Sequence, residues 1–178
     1  LIAFAGGARA GKEARAGEEA RRVLRVATSG DYAPFSNSPS GEAGAWQPAG
    51  LDAALARAYA ADRGLEIEWY RFRWPELLQD LASRRFDVAM SGISVRPERS
   101  LAGLFSVPVA TSGAVVLVRA DLLRANAGLS EIDWLDQPGV RISVNAGGHL
   151  ERVARDRFAK ARITAHASNA EVPVALVS

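Results

Sequence analysis

The sequence contains no cysteine in 178 residues. Disulfides, thiolate nucleophiles and cysteine-based zinc sites are excluded. A lipid-modified N-terminal cysteine is excluded with them, so no lipid anchor is expected. Histidine is scarce as well: His149 and His166 lie far apart in the chain, and no metal or cofactor is expected from them. No stretch approaches the ~20 apolar residues needed to span a bilayer, so membrane insertion is not expected. An excess of one charge is also missing. The formal net charge is only +2, and the basic residues, almost all arginine, are scattered among acids as Arg21 and Arg22, Arg71 and Arg73, Arg84 and Arg85, and Arg96 and Arg99. A nucleic-acid binder concentrates its basic charge and interleaves aromatics, so no nucleic-acid partner is expected. There is no G-x-S-x-G elbow for a serine hydrolase, no Gly-Lys-Ser phosphate loop and no G-x-G-x-x-G fingerprint.

What remains is an ordinary globular composition, 48% hydrophobic and 24% charged. The length allows one good core, or two small lobes sharing a cleft. The start, LIAFAGGARAG, resembles the end of a secretory signal: apolar residues, then small ones around Ala-Arg-Ala. On that reading residues 1–20 are a leader outside the fold.

From residue 21 the pattern is α/β. VLRVAT (23–28) reads as a strand, and the Ser/Gly/Pro-rich residues 36–49 as a loop. GLDAALARAYAAD predicts a helix with Leu51, Ala54, Leu55, Ala58 and Tyr59 on one face, stopped at Gly64. LEIEWY (65–70) alternates as a strand with Leu65, Ile67 and Trp69 on one side. WPELLQDLASRR predicts a second helix, with Pro75 in its first turn and Trp74, Leu77, Leu78 and Leu81 facing in. FDVAM (86–90) is a third strand. This order argues for a parallel sheet, in which ligands sit at the carboxyl ends of the strands. Two stretches follow strands there: SGDYAPFS from Ser29, and SGISVRPER from Ser91.

GAVVLVRA (113–120) reads as an apolar strand leaving the first lobe. SEIDWL is a short helical piece, VRISVN (140–145) a strand, HLERVARDRFAK (149–160) a helix, ARITAHA (161–167) a strand, and NAEVPVALVS the start of a helix. In the helix 149–160, Leu150, Val153, Ala154 and Phe158 share a face. The α/β pattern restarts after about residue 121. Lobe 1 is expected over 21–120, and lobe 2 over 121–178, incomplete at Ser178.

The candidate residues follow from this layout. The Arg99 guanidinium is a planar fork that suits a carboxylate. Ser91 and Ser94 flank the same strand end, and Gly92 lets a backbone N–H approach a ligand closely. On spacing alone, Glu98 and Arg99 read equally well as a solvated first helical turn. Tyr32 and Phe35, stiffened by Pro34, could wall a pocket or pack in a core. Trp74 could close that pocket or cap the core. Gly147, Gly148 and His149 open a helix whose N-terminus suits an anion, or a plain surface turn.

Taken together, VATSGDYAPFS, GLDAALA and RFDVAMSGISVRPER resemble the bacterial periplasmic solute-binding proteins of the polar amino-acid type, from about residue 23 to the end. The resemblance implies two α/β lobes closing on a small ligand. It implies a periplasmic protein that holds an amino-acid-like carboxylate, with an ABC-transporter permease as partner. The family's carboxylate-holding arginine falls on Arg99. Ser29, Ser91, Gly92 and Ser94 fall at strand ends, Tyr32, Phe35 and Trp74 at the pocket wall, and Gly148 and His149 at the second-lobe contact. Within the family, QPGVRISVNAGGHLERVARDRFAKARITAHASN resembles the cyclohexadienyl dehydratase branch, which converts prephenate or arogenate to phenylpyruvate or phenylalanine. That branch reads Asn-Pro-Gly-Gly-Thr-Asn-Glu where this chain has Asn145-Ala146-Gly147-Gly148-His149-Leu150-Glu151. Its general-acid glutamate falls in a segment beyond Ser178. Binding protein and dehydratase both stand on the sequence.

Overall fold

Val23–Thr28, the strand β2, is the spine of the first sheet because its inward residues Val26 and Ala27 are wholly buried and both of its edges are paired. The computed structural model describes residues 2–4, 22–38, 46–126 and 132–177. Glu66–Arg71 (β5) lies parallel to β2 over its full length, Val23 opposite Glu66 and Thr28 opposite Arg71. Val88–Met90 (β6) lies parallel on the other side. The expected parallel α/β sheet is therefore present. The sheet continues with two further strands: Ile2–Phe4 (β1) runs antiparallel to β6, and Leu104–Phe105 (β7) runs antiparallel to β1. Ile2–Phe4, within the stretch expected as a leader, thus lies between two other strands of the sheet. Residues 5–20 lie outside the described residues.

The connections are helical. Leu51–Arg63 (α1) ends at Gly64, whose left-handed backbone (φ 61°) turns its N–H back to the Ala60 and Ala61 carbonyls. A 3-10 turn over Trp74–Glu76 leads into Leu77–Ala82 (α2). Leu77 and Leu81 are buried as expected, and Leu78 is exposed. In α1 the expectation fails. Asp52, Ala53, Ala56 and Ala60 are buried, while Leu51, Leu55 and Tyr59 face out. The reason is steric: α1 packs close to β2 and β5, and alanine permits the approach. Ala56 joins Val26, Val88 and Met90 in one core cluster, with Leu24, Ile67 and Trp69 packed against it. At the opposite end of the strands Arg25 and Asp87 lock β2 to the start of β6. The Arg25 amide and Nε donate to Asp87 Oδ2 at 3.0 and 3.2 Å, and Nη2 to Oδ1 at 2.6 Å.

The chain divides into two units, Leu1–Phe72 with Glu76–Ala110, and Arg73–Pro75 with Thr111–Ser178. The division falls at residue 110, ten residues before the expected lobe boundary, and Arg73–Pro75 count with the second unit. Residues 113–119 form no strand: no neighbour pairs with them among the described residues, and Val115 and Leu117 are strongly exposed. Ala120–Ala125 is instead a short helix, placed after Asp31–Tyr32 (β3), Ser36–Asn37 (β4) and Pro97–Ser100 (α3) as α4.

In the second unit Arg141–Asn145 (β8) pairs in parallel with Arg162–His166 (β9), and His149–Arg157 (α5) connects them. A 3-10 turn covers Ile132–Leu135, where the short helical piece was expected; Ser130 and Glu131 lie outside the described residues. Glu171–Val177 forms α6. The core here is Leu135, Val144, Ala154, Phe158 and Ala161. Ala154 and Phe158 bear out the periodicity of α5; Leu150 from the same expected face is exposed. The Asp136 carboxylate accepts the Lys160 and Ala161 amides in the turn between α5 and β9.

Candidate functional site

Two loops leave the carboxyl ends of the parallel strands in the first unit. The first leaves β2 and forms the β3–β4 hairpin around Tyr32–Phe35, with Tyr32 opposite Ser36. A hydroxyl ladder holds it: Thr28 Oγ1 and Ser36 Oγ lie 2.5 Å apart, and the Gly30 amide donates to Ser36 Oγ at 2.8 Å. The second loop, Ser91–Arg96, leaves β6. The two are joined at their roots, where Ser29 Oγ and Ser91 Oγ share a hydrogen bond of 2.6 Å and the Ser29 amide donates to Ser91 Oγ at 3.3 Å. The sequence pointed to both serines as ligand contacts. The structure brings them together, buried and bonded to each other. Their hydroxyls tie loop to loop.

Gly92 follows, with φ +59°, a backbone that disfavours side chains. A methyl added there would lie 2.8 Å from Phe35 Cδ2 and from Tyr32 Cε1. The glycine is thus required twice, by its dihedral and by the rings resting on it. The rings of Tyr32 and Phe35 are tilted by 32° with centroids 5.8 Å apart. Both are partly exposed, and the pair covers the backbone of the second loop.

Arg99 lies in α3, which Pro97 opens at its first position. The residue is only 5% exposed, so the reading of a solvated helical turn is corrected for this side chain. Its Nη1 donates to the Ser94 carbonyl at 3.0 Å, returning the guanidinium to the loop. Burial pulls its pKa down to about 10, the like charge of Arg96 adds to this, and Glu98 opposes it. The group keeps its charge at neutral pH, in a place where that charge is costly. An anion brought beside it offsets that cost.

Sequence reasoning missed Asp52. Its carboxylate is buried at 2% exposure and accepts the Gly92 amide at 2.7 Å. Burial raises its pKa, and the Gly92 hydrogen bond acts against that. A carboxylate next to a helix-opening Gly-Leu was a visible signal, but the apolar period drew attention to its neighbours.

In the second unit the β8–α5 turn carries Gly147 (φ +69°) and Gly148, the N-cap of α5. The Gly147 amide donates to Glu151 Oε2 at 2.8 Å, and Arg155 holds Glu151 from the next turn. A methyl on Gly147 would lie 2.8 Å from Pro75 Cα and 2.9 Å from the Trp74 carbonyl, so the buried Trp74 and this turn are neighbours. His149 is exposed at the helix start. Asn145 and His166 are paired residues at the ends of β8 and β9, and neither was singled out in the sequence. Asn145 is buried with its amide over Gly148. The ten expected contacts thus fall as Ser29, Tyr32, Phe35, Ser91, Gly92, Ser94 and Arg99 in the first unit and Trp74, Gly148 and His149 in the second. Among the described residues no group of three His, Cys, Asp or Glu could hold a metal ion, and no helix is long and apolar enough to cross a membrane.

Comparison with known proteins gives this geometry a context. Residues 24–161 match the family described as bacterial extracellular solute-binding proteins, family 3. A cyclohexadienyl dehydratase of Pseudomonas aeruginosa is 40% identical over 150 residues, which are 84% of this chain and 53% of that protein. Among solved structures, an ancestral amino-acid-binding protein described as a precursor of cyclohexadienyl dehydratase superposes with TM-score 0.77 at 33% identity, over 87% of this chain and 65% of that one. A binding component of an ABC transporter from Wolinella succinogenes, complexed with lysine, superposes with TM-score 0.77 at 26% identity, over 89% and 65%. The chain therefore spans about half the length of the curated relative.

Proposed function

The chain belongs to the bacterial extracellular solute-binding proteins, family 3, and from that premise we propose that it captures a small amino-acid-like carboxylate in the periplasm for an ABC-transporter permease. Arg99 takes the ligand carboxylate. Gly92 and Ser94 present the second loop to it, and Tyr32 and Phe35 wall the site. Ser29 and Ser91 hold the two loops in place.

The observation that carries this reading is the buried Arg99 guanidinium, turned back onto the Ser94 carbonyl at the end of the parallel sheet. A planar donor fork in a partly desolvated place is matched by a carboxylate, which pairs with it bidentately. Lysine in the Wolinella protein supports the amino-acid class.

The dehydratase reading draws on one specific observation, the 40% identity to the Pseudomonas enzyme. His149 and Leu150 stand against it at the start of α5, where the branch places a threonine hydroxyl and an asparagine amide.

One experiment separates the two. The intact protein is titrated with the twenty L-amino acids while its melting temperature is followed, and assayed in parallel for phenylpyruvate release from prephenate. Binding at 100 times Kd stabilises by ~2.7 kcal/mol, a shift of several degrees. The expected result is such a shift with at least one amino acid, abolished in Arg99→Ala, and no turnover. Arg99-dependent phenylpyruvate formation would establish the dehydratase instead. A shift that survives Arg99→Ala would remove the carboxylate clamp from the reading.

A further inference from the structure

One residue touches both ligand-facing loops of the first unit. The Asp52 amide donates to the Phe35 carbonyl at 3.0 Å, beside the Leu51 amide, which donates to the Pro34 carbonyl at 3.0 Å. These bonds fasten the first turn of α1 to the Tyr32–Phe35 hairpin. The Asp52 carboxylate then reaches the other loop and accepts the Gly92 amide at 2.7 Å. Gly50, just before the helix, has φ +97°, and a methyl there would meet the Phe35 carbonyl oxygen at 2.6 Å. The hairpin and the helix start are therefore in close contact, and the approach leaves no slack.

The chemistry explains why a carboxylate sits there. Gly92 has the left-handed backbone, and the rings of Tyr32 and Phe35 lie on its Cα side. Gly92 lies beyond the last residue of β6, and its N–H, outside the strand pairing, finds its acceptor in Asp52. A buried carboxylate bonded to an amide makes a charge-assisted hydrogen bond, stronger than a neutral pair. Asp52 stands in the first turn of α1, where the helix N-terminus favours negative charge. Its burial is costly, and that cost is met by holding a single loop amide.

We propose that Asp52 is a positioning residue for ligand capture: it clamps the Gly92 amide while its own amide clamps Phe35, and so sets Tyr32, Phe35, Gly92 and the Ser94–Arg99 segment in one arrangement. It does not touch the ligand. The inference rests on the binding reading above, and it makes the loop register, rather than Arg99 alone, the determinant of affinity. Loss of the carboxylate frees Gly92 to rotate, shifts Ser94, and thereby moves the carbonyl that orients Arg99.

The test uses the intact protein with L-lysine as the calorimetric probe, and amide exchange at Gly92 followed by NMR without ligand. Asp52→Ala is expected to raise the Gly92 exchange rate at least tenfold and to weaken L-lysine binding at least tenfold. Asp52→Asn keeps an oxygen acceptor in the same place and is expected to restore both to within about threefold of the wild type. If Asp52→Ala does not fold, Asp52→Ser replaces it, since its shorter side chain falls short of Gly92. Gly92 exchange unchanged in the variant overturns the proposal, whether or not L-lysine binds. Weakened binding that Asp52→Asn fails to rescue, with Gly92 protection restored, overturns it too. A wild type that ignores L-lysine while Gly92 protection follows Asp52 supports the clamp and counts against the ligand class alone.

Discussion

Replacing Gly92 with alanine tests the geometry of the second loop most directly. Two costs add. The backbone at φ +59° charges a residue with a Cβ about 1–2 kcal/mol. The new methyl would lie 2.8 Å from Phe35 Cδ2 and Tyr32 Cε1, and 2.9 Å from Tyr32 Cδ1. Carbon atoms prefer about 3.5–4.0 Å, so the rings must yield by about 0.7 Å, and overpacking of this kind costs about 1–3 kcal/mol. The sum is about 2–5 kcal/mol. Urea unfolding followed by circular dichroism should show a lower midpoint with an unchanged m-value. The two parts separate in a cycle. In a Tyr32→Ala/Phe35→Ala background the clash disappears and only the backbone part, about 1–2 kcal/mol, survives. A cost for Gly92→Ala below ~1 kcal/mol would refute the reasoning. So would a cost undiminished by removing both rings, because the rings would then not rest on the glycine.

Acid titration gives a second check. Burial raises the Asp52 pKa above its unfolded value, so between the two values the native state binds the extra proton and stability rises as pH falls. The Asp87 carboxyl, held down by Arg25, works in the opposite sense at lower pH: its stabilisation is complete above the unfolded value and is lost as pH falls through the folded one. Asp52→Asn should therefore remove a gain of stability on mild acidification, read as the difference in urea midpoint between wild type and variant from neutral pH downwards. A difference that does not vary with pH would show that Asp52 does not titrate. In the second unit, Phe158→Ala should cost about 3–5 kcal/mol, because Phe158 is buried in the small core with Val144 and Ala154. A loss below ~1 kcal/mol in the unfolding of that unit would show that α5 is not anchored by it.

The sequence was most informative where local chemistry and packing agree. Gly64 marks the end of α1 because a left-handed residue closes a helix whatever surrounds it. VLRVAT and VRISVN are strands because β-branched residues pack well on a pleated surface, and both are found within a residue or so. The two loops after strands were legible for the same reason, as breaks in an α/β rhythm.

The errors share a cause of a different kind. The α1 pattern favoured Leu51, Leu55 and Tyr59 as the inner face, since hydrophobicity is read from side chains one at a time. Which face is buried depends on how close the sheet lies, and a close sheet selects alanines. GAVVLVRA has the composition of a strand, yet a strand exists only where another backbone pairs with it, and composition carries no information about the partner. Ile2–Phe4 shows the converse: a short apolar stretch finds a partner strand on each edge, which its composition does not announce.

For the site, residue types near strand ends left Arg99, Ser91, Ser94 and the aromatic pair open between a carboxylate seat and ordinary structure, and the family resemblance favoured the seat and added Ser29. Their division of labour came only from the fold. Ser29 and Ser91 are 62 positions apart and spend their hydroxyls on each other. Arg99 is buried rather than solvated, and Asp52, 40 positions from Gly92, holds the loop that presents it. Chain-local features such as helix ends, strand propensity and turn glycines are short-range and so can be read in one dimension. Hydrogen-bond partners and burial belong to pairs of distant residues, and only the packed chain brings those pairs within 3 Å.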